Sequence, residues 1–135
     1  MSAAAPKMRA ILLVAGVGRR LGADRPKSLL QFGGRSLLMR HVDALTAVGA
    51  TSLTIVVGHL QEQIREEIAL HAAAAKTLPI EFRVNEHYRE GSVVSLWTAR
   101  DALSSTEATL VMDGDVLYPS SLLSRLRDGG GAACI

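Results

Sequence analysis

The sequence predicts an α/β fold in which an open, mostly parallel sheet carries helices on both faces. Short apolar runs that end in glycine or polar residues alternate along the chain with longer segments of helical spacing. The run Ile11 to Ala15 is apolar at every position, as is typical of strands buried on both faces of a parallel sheet. Such alternation favours parallel strands joined by helical crossovers, for which the usual strand order is 3-2-1-4.

The first three elements are a strand, a helix and a second strand. Ile11 to Ala15 is the strand, after which Ser36 is of the residue type that caps a helix and Gly49 of the type that ends one. Between these two, the residues at helical spacing are Leu37, Leu38, His41, Val42, Leu45 and Val48. Leu53 to Val57 is rich in β-branched residues, and the following Gly58 ends a second predicted strand.

The middle of the chain predicts a helix, an edge strand and another helix. Gln61 to Ala75 is rich in helix formers and is followed by Pro79. The alternation in Ile80 to Val84 predicts a strand near the sheet edge. Ser92 can cap a helix that carries Val93, Leu96, Trp97 and Leu103, and this spacing predicts that Trp97 lies in the core.

The last elements are a fourth strand and a short helix. Ala108 to Met112 is a further buried strand, and Pro119 to Arg127 is predicted as a helix with proline in its first turn. Ala132 to Ile135 then resembles the start of another strand. The architecture is therefore expected to be incomplete at the C-terminal side.

The composition indicates a single domain over residues 1–135 and excludes several partners. Hydrophobic residues make up 48% of the chain and charged residues 21%, which is enough to bury a core. The 15 Lys and Arg residues nearly balance the 13 Asp and Glu residues, so nucleic acid is not an expected partner. Cys134 is the only cysteine, and no apolar run approaches the roughly 18–20 residues of a membrane span. We therefore expect a cytoplasmic protein without a membrane partner.

A glycine-rich loop follows the first strand. Gly16 and Gly18 let the backbone approach a ligand closely, and amide groups around them can point at phosphate oxygens. Arg20, Arg25 and Lys27 follow, and their charges could neutralise a polyphosphate. From these residues alone, a loop that binds nothing, followed by solvated surface charges, remains the alternative.

Two familiar phosphate-binding motifs do not match this loop. A dinucleotide fingerprint needs a third glycine where Leu21 stands, and a carboxylate at the end of the second strand, where residues 57–59 are Val, Gly and His. A Walker A loop needs glycine directly before lysine, but Pro26 precedes Lys27. A nicotinamide-dependent oxidoreductase is therefore disfavoured.

A pair of carboxylates follows the fourth strand. Asp113 and Asp115 are separated by Gly114, and two such carboxylates can hold Mg²⁺, although Asp and Gly are also common turn residues. With the order 3-2-1-4, the strand order reverses between the first and fourth strands, because the chain adds strands on one side of the first strand and then on its other side. Ligands bind in the crevice at such a point. The glycine-rich loop and the two carboxylates would then face each other across one cleft.

The segment Ile11 to Leu38 resembles the signature of the nucleotidyltransferases that activate sugar phosphates and alcohol phosphates, among them the MobA-like NTP transferases. Their loop pattern and the Pro-Lys that follows are matched at Leu13, Ala15, Gly16, Gly18, Arg20, Pro26 and Lys27. Residues 85–99 and 110–118 are similar to the phosphocholine cytidylyltransferase-like branch. The resemblance implies a Rossmann-like sheet of the nucleotide-diphospho-sugar transferase type. Members of this family are longer, so it also implies that this chain is the N-terminal nucleotide-binding part, truncated on its C-terminal side.

The resemblance also implies roles for single residues. Arg20 and Lys27 would be catalytic residues that contact the phosphates, and Asp115 with Asp113 would bind Mg²⁺. The implied nucleotide contacts are Ala15, Gly16, Val17, Gly18, Arg19, Asn85, Gly91, Ser92 and Asp113. His59 follows the second strand at the ligand-binding edge, which makes it a further candidate for a contact with the base.

The implied reaction transfers a nucleoside monophosphate, CMP from CTP in first place, to a phosphate monoester and releases pyrophosphate. Phosphocholine or a sugar 1-phosphate is the expected acceptor, with inositol phosphate, an aminoethylphosphonate and molybdopterin as alternatives. A non-catalytic nucleotide-binding domain is the alternative function, and a homo-oligomer is compatible with either.

The remaining polar and aromatic candidates have competing structural explanations. His41 lies on the apolar face of its helix and is expected in the core, whereas His71 and His87 show no zinc spacing. Tyr88 and Tyr118 could contribute to an aromatic cage for a choline headgroup, or pack at the edge of the sheet.

Overall fold

The computed structural model describes residues 7–15, 26–71, 78–90, 92–103 and 108–129. The strands are β1 (Met8–Leu13), β2 (Gln31–Phe32), β3 (Arg35–Ser36), β4 (Ser52–Val57), β5 (Ile80–Val84) and β6 (Ala108–Asp113). The helices are α1 (Leu37–Ala47), α2 (Gln61–His71), α3 (Ser92–Thr98), α4 (Arg100–Leu103) and α5 (Ser120–Gly129). Short 3₁₀ turns lie at Lys27–Leu29 and Tyr88–Glu90. Within the described segments, no helix combines the length and the apolar content that crossing a membrane requires.

Four of the strands form one parallel sheet in the order β5-β4-β1-β6. Counted along the chain, these are the third, second, first and fourth strands of the sheet, so the predicted order is confirmed. β5 lies at one edge, as predicted for Ile80–Val84. Because all four strands run in the same direction, their carboxyl ends lie on the same side of the sheet, and the residues that follow the strands meet there.

Two apolar clusters lie on the two faces of this sheet and confirm that helices cover both faces. The larger cluster contains Leu38 of α1, Ile64 of α2 and Leu123 of α5. The smaller cluster contains Ile11 of β1 and Val56 of β4, packed with residues of the α3 and α4 region. Since successive strand residues point to opposite faces, each central strand contributes to both clusters.

The first strand differs in its bounds from the prediction. It was expected over Ile11 to Ala15, but β1 runs over Met8–Leu13. Its basic first part belongs to the sheet, because Arg9 pairs with Ser52 in the β1–β4 register and its Nε donates to the Ser52 hydroxyl at 3.2 Å. A charged residue at the end of a strand can keep its head group at the sheet margin while its backbone pairs.

The helix predicted after Ser36 is confirmed as α1. The Ser36 hydroxyl accepts a hydrogen bond from the Met39 N–H at 3.2 Å, and Gly49 follows the helix with a φ of 77°. Helix α2 ends at His71, and its predicted continuation to Ala75 lies outside the described residues. The last helix, predicted from Pro119 to Arg127, is α5 over Ser120–Gly129, and the strand predicted at 132–135 lies outside the described residues.

The hairpin β2–β3 was not predicted. Gly33 and Gly34 both have positive φ, at 62° and 79°, which suits the tight turn between two strands of only two residues. Arg40 of α1 donates from Nε to the Phe32 carbonyl at 2.9 Å. The hairpin thus lies against the first turns of α1.

The prediction for Trp97 is wrong. One helix was expected from Ser92 through Leu103, but the structure has α3 and α4 with a break at Ala99. Trp97 is 64% exposed, and the guanidinium carbon of Arg100 lies 4.6 Å from the centre of its ring system. The buried residues of this segment are instead Ser95, Ala99 and Ala102. Helical spacing identified residues that share a face but not which face is buried.

We expect His41 to make stability depend on pH. Its side chain is 3% exposed, and burial lowers the pKa of its imidazole to about 4. The ordinary histidine pKa is about 6.5, so as the pH falls the unfolded chain binds a proton before the folded chain does. Going from about pH 7.5 to about pH 5, the free energy of unfolding should fall by about 2 kcal/mol. Urea unfolding at the two pH values checks this, and the decrease should largely disappear in His41→Gln but persist in His71→Gln.

Candidate functional site

The candidate site lies along the edge where the four parallel strands end. Ala15 follows β1, His59 follows β4, Asn85 follows β5 and Asp113 ends β6, so the sheet itself brings these predicted residues to one edge. Lys27 reaches the same edge from the 3₁₀ turn that precedes β2. The other predicted residues of the glycine-rich loop and of the α3 start lie outside the described residues, namely Gly16, Val17, Gly18, Arg19, Arg20 and Gly91.

Asp113, Gly114 and Asp115 form a turn, called here the acidic turn, at the end of β6. The Gly114 N–H donates to the Leu13 carbonyl at 2.9 Å and thereby ties the turn to the end of β1. Two causes raise the pKa of the Asp113 carboxyl above its usual value, first its partial burial and second the negative charge of Asp115. Two carboxylates that repel each other in this way form a site that a cation would stabilise.

A side chain at Gly114 should be poorly tolerated. A Cβ added there would lie 2.3 Å from Cγ1 of Val14 and 3.0 Å from the Leu13 carbonyl oxygen. We expect Gly114→Ala to lower the free energy of unfolding by about 2–3 kcal/mol, since the buried end of β1 would have to move. Gly34→Ala, where no atom lies within 4 Å of the added Cβ, should cost only about 1 kcal/mol from its positive φ. Denaturant unfolding measures both, and an equal or smaller loss in Gly114→Ala would contradict the packing of the acidic turn.

Lys27 brings a positive charge to the acidic turn. Pro26 has an extended backbone and precedes a 3₁₀ turn, which directs Lys27 back toward β6. Its Nζ lies 3.9 Å from Oδ2 of Asp115, and the two side chains are 36% and 50% exposed. At such exposure an ion pair contributes at most about 1 kcal/mol. Lys27 and Asp115 are therefore each available to exchange this contact for a stronger one.

Asn85 is buried and its side chain holds the backbone that follows β5. Its Oδ1 accepts from the His87 N–H at 2.9 Å, and its Nδ2 donates to the Ser95 hydroxyl of α3 at 2.9 Å. At 2% exposure, Asn85 fixes α3 relative to the end of β5. Its predicted contact with a nucleotide, like that of Ser92, stays a prediction.

His59 and Tyr88 lie next to each other at the end of β4. The His59 N–H donates to the Ala15 carbonyl at 3.3 Å, and its ring centre lies 5.7 Å from that of Tyr88. Gly58 makes room for this contact, because a Cβ there would come within 2.7 Å of the Tyr88 Cβ. Tyr118, by contrast, packs against the cluster on the other face of the sheet. The two tyrosines therefore do not form one aromatic cage.

The described residues contain no group of three or more histidine, cysteine or acidic side chains that could hold a metal ion. His71 and His87 instead pair with Glu67 and Glu90, at 3.1 Å and 3.3 Å. The acidic turn offers two carboxylates, and Mg²⁺ is commonly held by one or two carboxylates together with substrate phosphates. The donor chemistry of this turn fits Mg²⁺ if a substrate supplies the other oxygens.

Two residues contact the acidic turn in ways that were not predicted from the sequence. The Tyr118 hydroxyl accepts from the Asp113 N–H at 3.1 Å, and His41 Nε2 lies 3.4 Å from the Asp113 carbonyl oxygen. His41 was predicted only to be buried, which is confirmed. The available sequence signal was the short distance of Tyr118 from Asp113 along the chain.

Comparison with known proteins finds a family and several relatives. The model of the MobA-like NTP transferase domain matches residues 10–134. A CMP-5'-(3-aminopropyl)phosphonate synthase of Streptomyces rubellomurinus is 33% identical over 95% of this chain and 20% of its own length. The bifunctional protein GlmU of Paraburkholderia phymatum is 33% identical over 92% of this chain and 26% of its own length. The chain thus spans about a quarter or less of these two relatives.

Solved structures of similar fold are also longer than this chain. The CTP:phosphocholine cytidylyltransferase LicC of Streptococcus pneumoniae is 25% identical with a TM-score of 0.64, over 85% of this chain and 50% of that one. The inositol-1-phosphate CTP transferase of T. maritima has a TM-score of 0.72 at 22% identity, over 91% of this chain and 49% of that one. The second likeness supports the fold alone. These neighbours agree with the nucleotide-diphospho-sugar transferase architecture that the sequence predicts.

Proposed function

Because the chain belongs to the MobA-like NTP transferase domain family, we propose that it is the nucleotide-binding part of a nucleotidyltransferase. The proposed reaction transfers CMP from CTP to a phosphate monoester and releases pyrophosphate. One observation supports this most directly: Lys27 lies 3.9 Å from Asp115 at the end of β6, beside the end of β1. One strand end thus combines a cation suited to phosphates with carboxylates suited to a metal ion.

The reaction needs positioning and charge stabilisation rather than a base from the protein. An oxygen of the acceptor phosphate attacks the α-phosphorus of CTP and forms a new P–O bond. The bond from the α-phosphorus to the oxygen that bridges it to the β-phosphate breaks, and that oxygen leaves with pyrophosphate. The attacking phosphate is already anionic at neutral pH, so no side chain has to remove a proton. Lys27 would contact the phosphates and stabilise the charge that develops on them.

Asp113 and Asp115 would hold Mg²⁺ in this proposal. When bound, the metal ion supplies positive charge against the phosphate oxygens. The raised pKa of the Asp113 carboxyl supports this role, since it reflects first partial burial and second the negative charge of Asp115, both of which a cation would offset. Lys27 is close enough to Asp115 to give up this contact to the metal ion and turn to a phosphate.

The choice of CTP and of the acceptor rests on relatives. The names of the aminopropylphosphonate synthase and of the Streptococcus pneumoniae enzyme both refer to cytidine nucleotides. Their acceptors differ, so we propose a small phosphorylated or phosphonate-bearing acceptor, with phosphocholine as one member of this class. A cytoplasmic location is part of the same proposal, because the reaction consumes a nucleoside triphosphate.

Thermal unfolding of this chain with each nucleotide tests the proposal. CTP with Mg²⁺ at about 100 times its dissociation constant should stabilise the folded chain by about 2.7 kcal/mol. CTP without Mg²⁺ should stabilise it less, and UTP, GTP, ATP and NAD should have smaller effects at the same concentration. A response to NAD with none to any triphosphate would contradict the proposed function. Stabilisation by CTP without pyrophosphate release would favour the non-catalytic nucleotide-binding domain.

A further inference from the structure

The acidic turn is held from two sides, and only one of these sides is a strand. On the β1 side, the Gly114 N–H donates to the Leu13 carbonyl at 2.9 Å. Successive residues of a strand direct their backbone groups to opposite edges, so the N–H and C=O of Asp113 face away from β1. In the described part of the chain no strand lies beside β6 on that side. Among the described residues, the partners of the Asp113 backbone on that side are therefore side chains.

Two side chains from different elements contact the N–H and C=O of Asp113 on that side. The Asp113 N–H donates to the Tyr118 hydroxyl at 3.1 Å, and His41 Nε2 lies 3.4 Å from the Asp113 carbonyl oxygen. His41 comes from α1, whereas Tyr118 comes from the segment between β6 and α5. Their ring centres are 5.7 Å apart, so each ring also limits the movement of the other. One residue thus accepts from the Asp113 backbone and the other can donate to it.

The protonation of His41 agrees with this arrangement. A carbonyl oxygen can only accept, so Nε2 must carry a proton for the contact with Asp113. With its proton on Nε2, His41 donates to the Asp113 carbonyl oxygen while the Tyr118 hydroxyl accepts from the Asp113 N–H.

Resting on the proposed function, we infer that His41 and Tyr118 are positioning residues for the metal site. They hold the Asp113 backbone on the side of β6 that faces away from β1, so that its carboxylate stays directed toward a cation shared with Asp115. Neither side chain needs to touch the metal ion or the substrate. Partners of this kind orient metal ligands, and their loss commonly weakens metal binding by about 10–100-fold.

Binding of Mn²⁺, followed by electron paramagnetic resonance of the free ion, tests this inference on the chain itself. Tyr118→Phe keeps the ring and removes only the hydroxyl, and His41→Leu removes the donor. Each should weaken Mn²⁺ binding by about 10-fold. His41→Gln keeps an N–H donor and should restore affinity to within about threefold of the unchanged chain. His71→Leu, which changes an exposed histidine, should leave Mn²⁺ affinity unchanged.

If His41 and Tyr118 only stabilise the fold, their variants should differ from the unchanged chain in stability but not in Mn²⁺ affinity. If Tyr118→Phe and His41→Leu lower the unfolding temperature but bind Mn²⁺ as tightly as the unchanged chain, the inference is overturned. The variant Asp115→Asn distinguishes failure of the positioning role from failure of the proposed function. If Asp115→Asn weakens Mn²⁺ binding while Tyr118→Phe and His41→Leu do not, the metal site is supported and only the positioning role is wrong. If Mn²⁺ binds to the unchanged chain neither alone nor together with CTP, both fail.

Amide exchange provides a readout that needs no metal ion. In Tyr118→Phe the Asp113 N–H loses its acceptor, so its hydrogen exchange should become about fivefold faster. The amide of Gly114, which bonds to Leu13, should change much less. Unchanged exchange at Asp113 would overturn the inference independently of metal binding.

Discussion

Replacing Lys27 by methionine should slow pyrophosphate release from CTP by about 10²–10³-fold. Methionine keeps an unbranched side chain of similar length and removes the positive charge. Lys27 is part of an exposed ion pair, so the free energy of unfolding should change by less than about 1 kcal/mol. The loss would appear in kcat more than in KM, because the charge on the phosphates grows in the transition state. Steady-state pyrophosphate release with a saturating phosphate monoester measures it.

Two further variants separate this effect from a general loss of charge. Lys7→Met removes an exposed lysine just before β1, near the amino ends of the strands and away from the candidate site, and should leave turnover unchanged. Lys27→Arg keeps the charge but changes its shape, and should recover only part of the rate. Near-normal turnover in Lys27→Met would contradict the role proposed for this side chain.

The sheet was predictable because its central strands carry their own signal. β1 and β4 are largely buried on both faces and therefore contain continuous apolar or β-branched runs. The hairpin β2–β3 carries no such signal, since each strand has two residues and its conformation depends on Gly33, Gly34 and a contact from Arg40. A hairpin that depends on such contacts has no repeating hydrophobic pattern, so the sequence pattern does not predict it.

Trp97 shows a second limit of periodicity. Val93 and Trp97 share one face of α3, and that face is exposed. The buried face includes Ser95, whose hydroxyl accepts from Asn85. A polar residue can be buried there only because its partner comes from the end of β5, and helical spacing contains no information about that partner. Trp97 was therefore assigned to the core.

The candidate site was predictable to the same extent as the sheet. Asp113 and Asp115 follow a recognisable strand, and parallel topology alone brings them to the edge where β1 ends. The contacts of Tyr118 and His41 with Asp113 were not predictable. Tyr118 lies in a segment without regular structure, and the direction of the His41 ring depends on how α1 packs beside β6.

Replacing Asp115 by asparagine should remove most of the benefit of Mg²⁺. Asparagine has nearly the same size but no charge, so the folded structure should remain while the proposed metal site loses one of its two carboxylates. We expect stabilisation by CTP with Mg²⁺ to fall to the level seen without Mg²⁺, and turnover to fall by about 10²–10³-fold. Thermal unfolding and pyrophosphate release measure the two effects.

The same substitution has a consequence that does not depend on the proposed function. The charge of Asp115 is the second cause of the raised pKa of the Asp113 carboxyl, after partial burial. In Asp115→Asn this pKa should therefore move part of the way back toward its ordinary value, which carboxyl titration by NMR can follow. Asp43→Asn, on the exposed side of α1, should leave both the Asp113 pKa and the Mg²⁺ response unchanged. If the Asp113 pKa falls but Mg²⁺ still stabilises the CTP complex, the two carboxylates interact without forming the metal site.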